Sequence, residues 1–279
     1  MKFTKMHGLG NDYVYINCLD EIVQNPSELA KKLSNRNFGI GSDGIVLICK
    51  SEKADFKMRM FNSDGSESQM CGNAIRCVGK YVYDRKLIQS KTVKIETLAG
   101  IKILELIVDN GVVSLVRVNM GQPDFEPKNI PLSEEFFDKN EVINEPIEVD
   151  GVLYNVTCVS MGNPHAVVYV NDVDSLDLQQ IGPLFENHAC FPERINTEFV
   201  EVIDRKTLRM RVWERGSGET LACGTGACAV LVASVKCDKS DRDAKVILKG
   251  GELLVKWDDS DNCVYKTGSA DFVFDGELY

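Results

Sequence analysis

Two cysteines in this chain share an uncommon context. Cys71-Gly72-Asn73 follows the polar, turn-rich loop Asn62-Ser63-Asp64-Gly65-Ser66-Glu67. Cys223-Gly224-Thr225-Gly226 follows a second such loop, Glu214-Arg215-Gly216-Ser217-Gly218-Glu219. Each cysteine precedes a strongly apolar stretch, 73–83 or 225–236, that reads as a helix. A thiol at a helix start meets unpaired N–H groups and the positive end of the helix dipole. Both favour the thiolate and predict a lowered thiol pKa. The same N–H groups can hold a carboxylate without a metal or a lysine, and the following glycine lets a ligand approach the backbone. Taken singly, either cysteine is as well explained as a buried core thiol. As a symmetric pair they suit one reaction: a thiolate removes a proton from a carbon while a thiol delivers one to the opposite face. That inverts a stereocentre, and exchanging the roles runs the reaction backwards. Helix N-termini on a substrate carboxylate would stabilise the carbanionic transition state.

The pairing extends along the chain. Cys71 and Cys223 are 152 positions apart. The same offset relates Gly10-Asn11 to Gly162-Asn163, Met58-Arg59 to Met210-Arg211, Glu67 to Glu219 and Val78 to Val230. One offset linking several segments predicts an internal duplication. Because it exceeds half the length, residues from about 121 to 153 lie between the copies, and a terminal strand can cross from one half to the other.

These residues need elements to position them. In the first copy Phe3–His7, Asp12–Asn17, Ile45–Cys49, Phe56–Phe61, Thr92–Glu96, Ile101–Val108 and Val112–Asn119 read as strands from β-branched and aromatic content. Ser27–Leu33 reads as a short helix capped by Ser27. In the second, Val152–Ser160, Ala166–Val170, Phe199–Ile203 and Leu208–Trp213 are strands, and Leu178–Asn187 is the matching helix, bent or shortened by Pro183. The helices 73–83 and 225–236 are apolar on most faces, so each belongs at the centre of its domain with strands around it. The expected fold is α+β, two pseudo-symmetric domains from one duplication. The first covers 1–120 with a C-terminal strand at about 269–279 joining it, and the second covers 121–268.

The remaining composition narrows the function classes. The chain has 279 residues, a formal net charge of −10, ten cysteines and three histidines. An acidic balance argues against nucleic acid or an anionic membrane as partner. No apolar stretch is long enough to span a bilayer, and no apolar run follows the N-terminal lysines as a signal peptide would require; the expected address is the cytoplasm. Ten cysteines are well short of disulfide-scaffold density. No C-x-x-C occurs, which weakens a zinc or thioredoxin-like reading, so no metal is expected. Gly39-Ile40-Gly41-Ser42-Asp43-Gly44 fits G-x-G-x-x-G but leads into a strand rather than a helix, so it reads as a turn.

The strings Met6-His7-Gly8-Leu9-Gly10-Asn11-Asp12, Phe38-Gly39-Ile40-Gly41-Ser42-Asp43-Gly44, Phe61-Asn62-Ser63-Asp64-Gly65-Ser66, Met70-Cys71-Gly72-Asn73-Ala74, Gly162-Asn163-Pro164-His165, Arg194-Ile195-Asn196-Thr197, Trp213-Glu214-Arg215-Gly216 and Ala222-Cys223-Gly224-Thr225-Gly226 occur in this order. They span nearly the whole chain, which closely resembles the diaminopimelate epimerase family. The resemblance implies a cofactor-independent isomerase that interconverts LL- and meso-diaminopimelate on the route to lysine and peptidoglycan. It implies domains built as a curved mixed sheet or barrel around a central helix, with the active site between them, and a homodimer as a family-level expectation. By motif, Cys71 and Cys223 would be the acid/base pair. The amides of Gly72-Asn73 and Gly224-Thr225 would hold the reacting α-carboxylate. Asn11, Asn62, Asn163, Asn196, Glu214 and Arg215 would bind the distal amino-acid end, and His165 and Glu214 would tune the thiols. Some members carry Gln where this chain has Gly44, so that position stands outside the expected site. A proline or hydroxyproline racemase of the same fold would share the cysteines but have no use for the distal Arg and Asn cluster. A non-catalytic module binding anions at the helix ends is the third reading.

Overall fold

The computed structural model describes residues 1–278. In chain order its elements are β1 (Lys2–Gly8), β2 (Asn11–Cys18), α1 (Pro26–Ser34), β3 (Gly44–Cys49), β4 (Phe56–Asn62), β5 (Glu67–Ser68), α2 (Gly72–Asp84), β6 (Thr92–Thr97), β7 (Gly100–Asp109) and β8 (Val112–Asn119). After a short 3-10 turn at Glu134–Phe136 come β9 (Glu145–Val149), β10 (Val152–Ser160), β11 (Pro164–Tyr169), α3 (Leu178–Glu186), β12 (Asn196–Asp204), β13 (Thr207–Glu214), β14 (Gly218–Glu219), α4 (Gly224–Lys236), β15 (Asp243–Leu248), β16 (Gly251–Trp257), β17 (Val264–Gly268) and β18 (Asp271–Glu277). The chain forms two compact units: Met1–Asn119 with the segment from Thr267 onward, and Met120–Lys266. None of the described helices is long and apolar enough to cross a membrane.

Each unit is a mixed sheet with helices in its parallel crossovers, an α+β architecture. In the first, β1 and β2 are antiparallel, β2 and β3 parallel with α1 between them, β3 and β4 antiparallel, and β4 and β6 parallel with α2 between them. The second repeats this through β10, β11, β12, β13 and β15, with α3 and α4 as the crossovers. The register repeats without a shift in the middle ladders. It slips by one residue in the β1–β2 and β4–β6 equivalents, where Thr4 faces Tyr15 but Val156 faces Val168, and Phe56 faces Ile95 but Leu208 faces Val246. Tyr13 pairs with Gly44, and His165 with Asn196. Ile45 opposes Phe61, and Thr197 opposes Trp213. Phe61 opposes Glu67, and Trp213 opposes Glu219. An ion pair recurs too: Arg59 Nε lies 2.7 Å from Glu67 and Arg211 Nε 2.8 Å from Glu219. Each closes the short hairpin that delivers the chain to its cysteine.

The two central helices have the same bounds once shifted by the repeat. α4 is built from small and β-branched residues and is buried from Gly226 to Ser234; it packs on β10, β11, β12, β13, β15 and β16. α2 packs on β1, β2, β7 and β8 and buries Arg76 completely. That guanidinium donates through Nε to the Ser269 carbonyl at 3.0 Å and through Nη1 to the Gly72 carbonyl at 3.1 Å. It ties the returning C-terminal segment to the first turn of α2. Arg85 and Thr4 both bond Asp275, and β18 lies antiparallel on β1 with Lys2 opposite Glu277. In the second unit β9 takes that place beside β10, with Val149 opposite Val152. The strand beside β1 therefore comes from the far end of the chain, and the one beside β10 from the residues just before β10 within its own unit.

Two local features differ from the sequence reading, while α3 follows it to within one residue. The cap of α1 is Asn25, in the left-handed region at φ 52°, not Ser27. Pro26 fills the first turn, where a missing N–H leaves nothing unpaired, and the Ser27 hydroxyl donates to the Gly65 carbonyl at 2.8 Å. Pro183 sits inside α3, which ends three residues later at Glu186; Asp177 caps its start by accepting from the Gln179 amide at 3.1 Å. Strands β9 and β15–β17 lie where the sequence reading placed none. Their alternating Asp, Lys and Glu dilute the apolar signal, and pairing with a neighbour decides them.

Candidate active-site residues

In the first unit Cys71 is the residue just before α2, extended at φ −127° and ψ 122°. Its thiol donates to Asn11 Oδ1 at 3.3 Å. Asn11 follows the turn at Leu9-Gly10, where both residues have positive φ, and its Nδ2 donates to Asp43 Oδ2 at 2.7 Å. Arg36 holds Asp43 in turn at 2.9 Å. Asn73 is buried, its Oδ1 accepting from Arg76 Nη1 at 2.9 Å. Asn62 ends β4 opposite Gly44, at the sheet end that carries Asn11, and donates to Ser66 at 3.0 Å. Gly44 cannot hold a side chain here: a Cβ would collide with the Phe61 carbonyl oxygen and crowd the Tyr13 ring.

In the second unit Cys223 stands in the same relation to α4, at φ −106° and ψ 113°. The Gly226 amide donates to its sulfur at 3.4 Å, and Thr225 Oγ1 lies 3.5 Å away. His165, fully buried in β11, has Nδ1 2.7 Å from Glu198 Oε1 and Nε2 3.1 Å from Asn163 Oδ1. Glu214 ends β13 and accepts from the Thr220 hydroxyl. Burial, with Glu198 close by, holds its carboxyl above the usual carboxylate range. Asn196 is buried and braces two loops: Nδ2 donates to the Pro164 carbonyl at 2.7 Å, and Oδ1 accepts from the Arg215 amide at 3.0 Å. The Arg215 side chain donates to the Glu193 carbonyl at 3.1 Å.

A helix start predicts a lowered thiol pKa, and Cys223 departs from this. Burial pushes it well up, and the charges of Glu214 and Glu198 add to the push. Thr225 and the Gly226 amide act the other way but are outweighed. A thiolate stripped of water and facing carboxylates is disfavoured more than one helix terminus favours it.

The structure thus gathers Cys71, Asn11, Gly72 and Asn73 in one cluster with Asn62 at the same sheet end. It gathers Cys223, Gly224, Thr225, Glu214, His165 and Asn163 in another, with Asn196 bracing the Arg215 loop. Two carboxylates in the second unit escape a sequence reading. Glu198 is one. Glu186 is the other: it is buried in α3, and its oxygens accept from Trp213 Nε1 at 2.7 Å and the Gly216 amide at 2.8 Å, fixing the loop that carries Glu214 and Arg215. A signal for Glu198 was present, since Val46 occupies the repeat-equivalent position. Among the described residues no group of three or more His, Cys, Asp or Glu side chains is arranged to hold a metal ion.

Comparison with known proteins supplies the context. Among solved structures, a phenazine biosynthesis protein of the PhzF family from Bacillus anthracis matches with TM-score 0.72 and 18% identity, covering 100% of this chain and 99% of that one. A hydroxyproline epimerase from Agrobacterium vitis matches with TM-score 0.66 and 14% identity over 100% and 90%. At these identities the likeness is one of fold. In sequence, diaminopimelate epimerases from Acetivibrio thermocellus and Methanococcus maripaludis are 64% and 59% identical, each aligned over 100% of this chain and over 98% and 99% of their own lengths. The profile of that family matches residues 3–126 and 157–273. Both cysteine clusters lie inside the matched segments, and the chain belongs to the diaminopimelate epimerase family.

Proposed function

We propose that this protein interconverts LL- and meso-diaminopimelate without a cofactor, with Cys71 and Cys223 as the acid/base pair. The observation that carries the reading is the equivalence of the two cysteines: each caps the central helix of its unit and is followed by glycine and a polar residue. One cysteine, as thiolate, takes the α-proton and becomes a thiol. The other, as thiol, gives its proton to the opposite face and becomes a thiolate. The α-carboxylate rests on the amides of Gly72-Asn73 and Gly224-Thr225, where helix N-termini favour the charge that develops at the α-carbon. Asn11, Asn62, Asn163 and Asn196 orient the distal end. Arg215 supplies a fork for the second carboxylate, Glu214 accepts from the ammonium group, and His165 and Glu214 act on the thiols. Chemistry that needs one free thiol and one thiolate suits a reducing compartment, which supports a cytoplasmic address.

Incubation in deuterium oxide tests the reading. With diaminopimelate and no added cofactor, the isomers interconvert and deuterium enters the α-position. Deuterium uptake only from proline or hydroxyproline would move the substrate to a cyclic amino acid. Binding without uptake would leave an anion-binding module.

A further inference from the structure

Glu198 is a carboxylate where a strand core calls for an apolar residue. It is fully buried in β12, Oε1 faces His165 Nδ1 at 2.7 Å, and Oε2 has no hydrogen-bond partner among the described residues. A buried carboxylate with an unsatisfied oxygen is costly and is retained only where something else depends on it.

Its surroundings indicate what depends on it. A Cβ placed on Gly226 would lie 2.6 Å from Glu198 Oε1 and 3.2 Å from Cys223 Sγ, so carboxylate and sulfur are within about 6 Å of each other beneath the first turn of α4. At that distance a negative charge in a dry setting opposes ionisation of the thiol. The titratable groups beside Glu198 come from several elements: His165 from β11, Cys158 from β10, Glu214 from the end of β13, and Cys223 with the Gly226 amide at the start of α4. His165 Nδ1 holds the carboxylate in place across 2.7 Å. The helix terminus favours the thiolate, and Glu214 acts with Glu198 against it.

The other copy shows that the fold does not require this. Val46 stands where Glu198 stands and Asn62 where Glu214 stands, so two carboxylates at the Cys223 cluster correspond to none at those positions in the Cys71 cluster. We infer that Glu198 is a positioning residue that keeps Cys223 a thiol in the resting protein and so makes it the proton donor in the direction that starts from that form. The word donor rests on the proposed reaction; the effect on the thiol does not.

The test is peptide-resolved alkylation of the full-length protein by iodoacetamide across a pH series, read by mass spectrometry. In the wild type, Cys223 reacts with a midpoint above that of a free cysteine thiol. In Glu198→Gln the midpoint falls by one pH unit or more, and Cys223 reacts about tenfold faster at a pH below both midpoints. Glu198→Val, patterned on Val46, gives the same fall if the glutamine variant folds poorly. An unchanged midpoint in either folded variant overturns the assignment, as does a wild-type midpoint at or below that of a free thiol. Alkylation is read without turnover, so this result stands apart from the deuterium experiment: either can fail alone.

Discussion

Gly226 lacks a side chain because Glu198 occupies the space one would fill: a Cβ there would lie 2.6 Å from the Glu198 carboxylate oxygen. In an ordinary helix, glycine to alanine stabilises by ~0.5–1 kcal/mol. Here the sign reverses, since moving the carboxylate aside would break its 2.7 Å contact with His165. Gly226→Ala is expected to lower stability by about 1–3 kcal/mol and to suppress turnover, because the amide that donates to Cys223 must shift. A thermal melt and a turnover assay check both; a more stable and fully active variant would contradict the packing described.

Removing either thiol removes one of the two proton carriers. Cys71→Ala and Cys223→Ala are each expected to reduce epimerisation by at least ~10²–10⁴-fold while leaving the circular dichroism spectrum unchanged. Substantial turnover by either folded variant would sink the two-base reading.

Glu214 couples function to stability through pH. Burial raises its carboxyl in the folded protein, so the unfolded chain releases this proton first as pH rises. Stability is therefore lost between the ordinary glutamate value and the raised one, and stays lost above it. Glu214→Gln removes that loss. It is expected to melt higher than wild type at neutral pH, with the advantage vanishing below the carboxylate range, and to turn over at least ~10²-fold more slowly. Melting curves at two pH values read the sign directly.

Glu186 positions the loop that carries Glu214 and Arg215. Glu186→Ala leaves Trp213 Nε1 and the Gly216 amide without their acceptor, at about 1–3 kcal/mol for each unsatisfied group. Because Glu186 bonds the Gly216 amide beside Arg215, which holds the second carboxylate in the proposed reaction, KM should rise by a larger factor than kcat falls. The opposite split would assign Glu186 a different part.

Arg76 is a fully buried cation bonded to the Ser269 and Gly72 carbonyls and to Asn73. Arg76→Ala is expected to destabilise by ~2–5 kcal/mol, as for other large-to-small changes in a core. Protease sensitivity should appear first in the C-terminal segment that Arg76 ties to α2. Arg76→Lys should rescue only part of this, because an ammonium cannot reproduce the planar fork.

Much of this protein is legible in one dimension. The duplication shows as a single offset because the middle ladders and the hairpins before the cysteines recur without a gap in the two units, from Tyr13–Gly44 and His165–Asn196 to Phe61–Glu67 and Trp213–Glu219. The central helices show because Asn73–Tyr83 and Thr225–Lys236 are apolar on most faces. The cysteines stand out because helix starts and glycines have local signatures. What depends on distant neighbours was not legible. Asn25 rather than Ser27 caps α1 because Gly65, far along the chain, takes the serine hydroxyl. The offset called for a C-terminal strand crossing into the first half, but not for its register on β1 or the ties through Arg76, Arg85 and Thr4. Local sequence alone predicts an acidified Cys223, since a helix terminus is a local property. The tertiary structure reverses the prediction by excluding water and bringing Glu214 and Glu198 to the sulfur. The sequence by itself determined which residue types stand at the two helix starts; only folding decided the electric field in which those thiols sit.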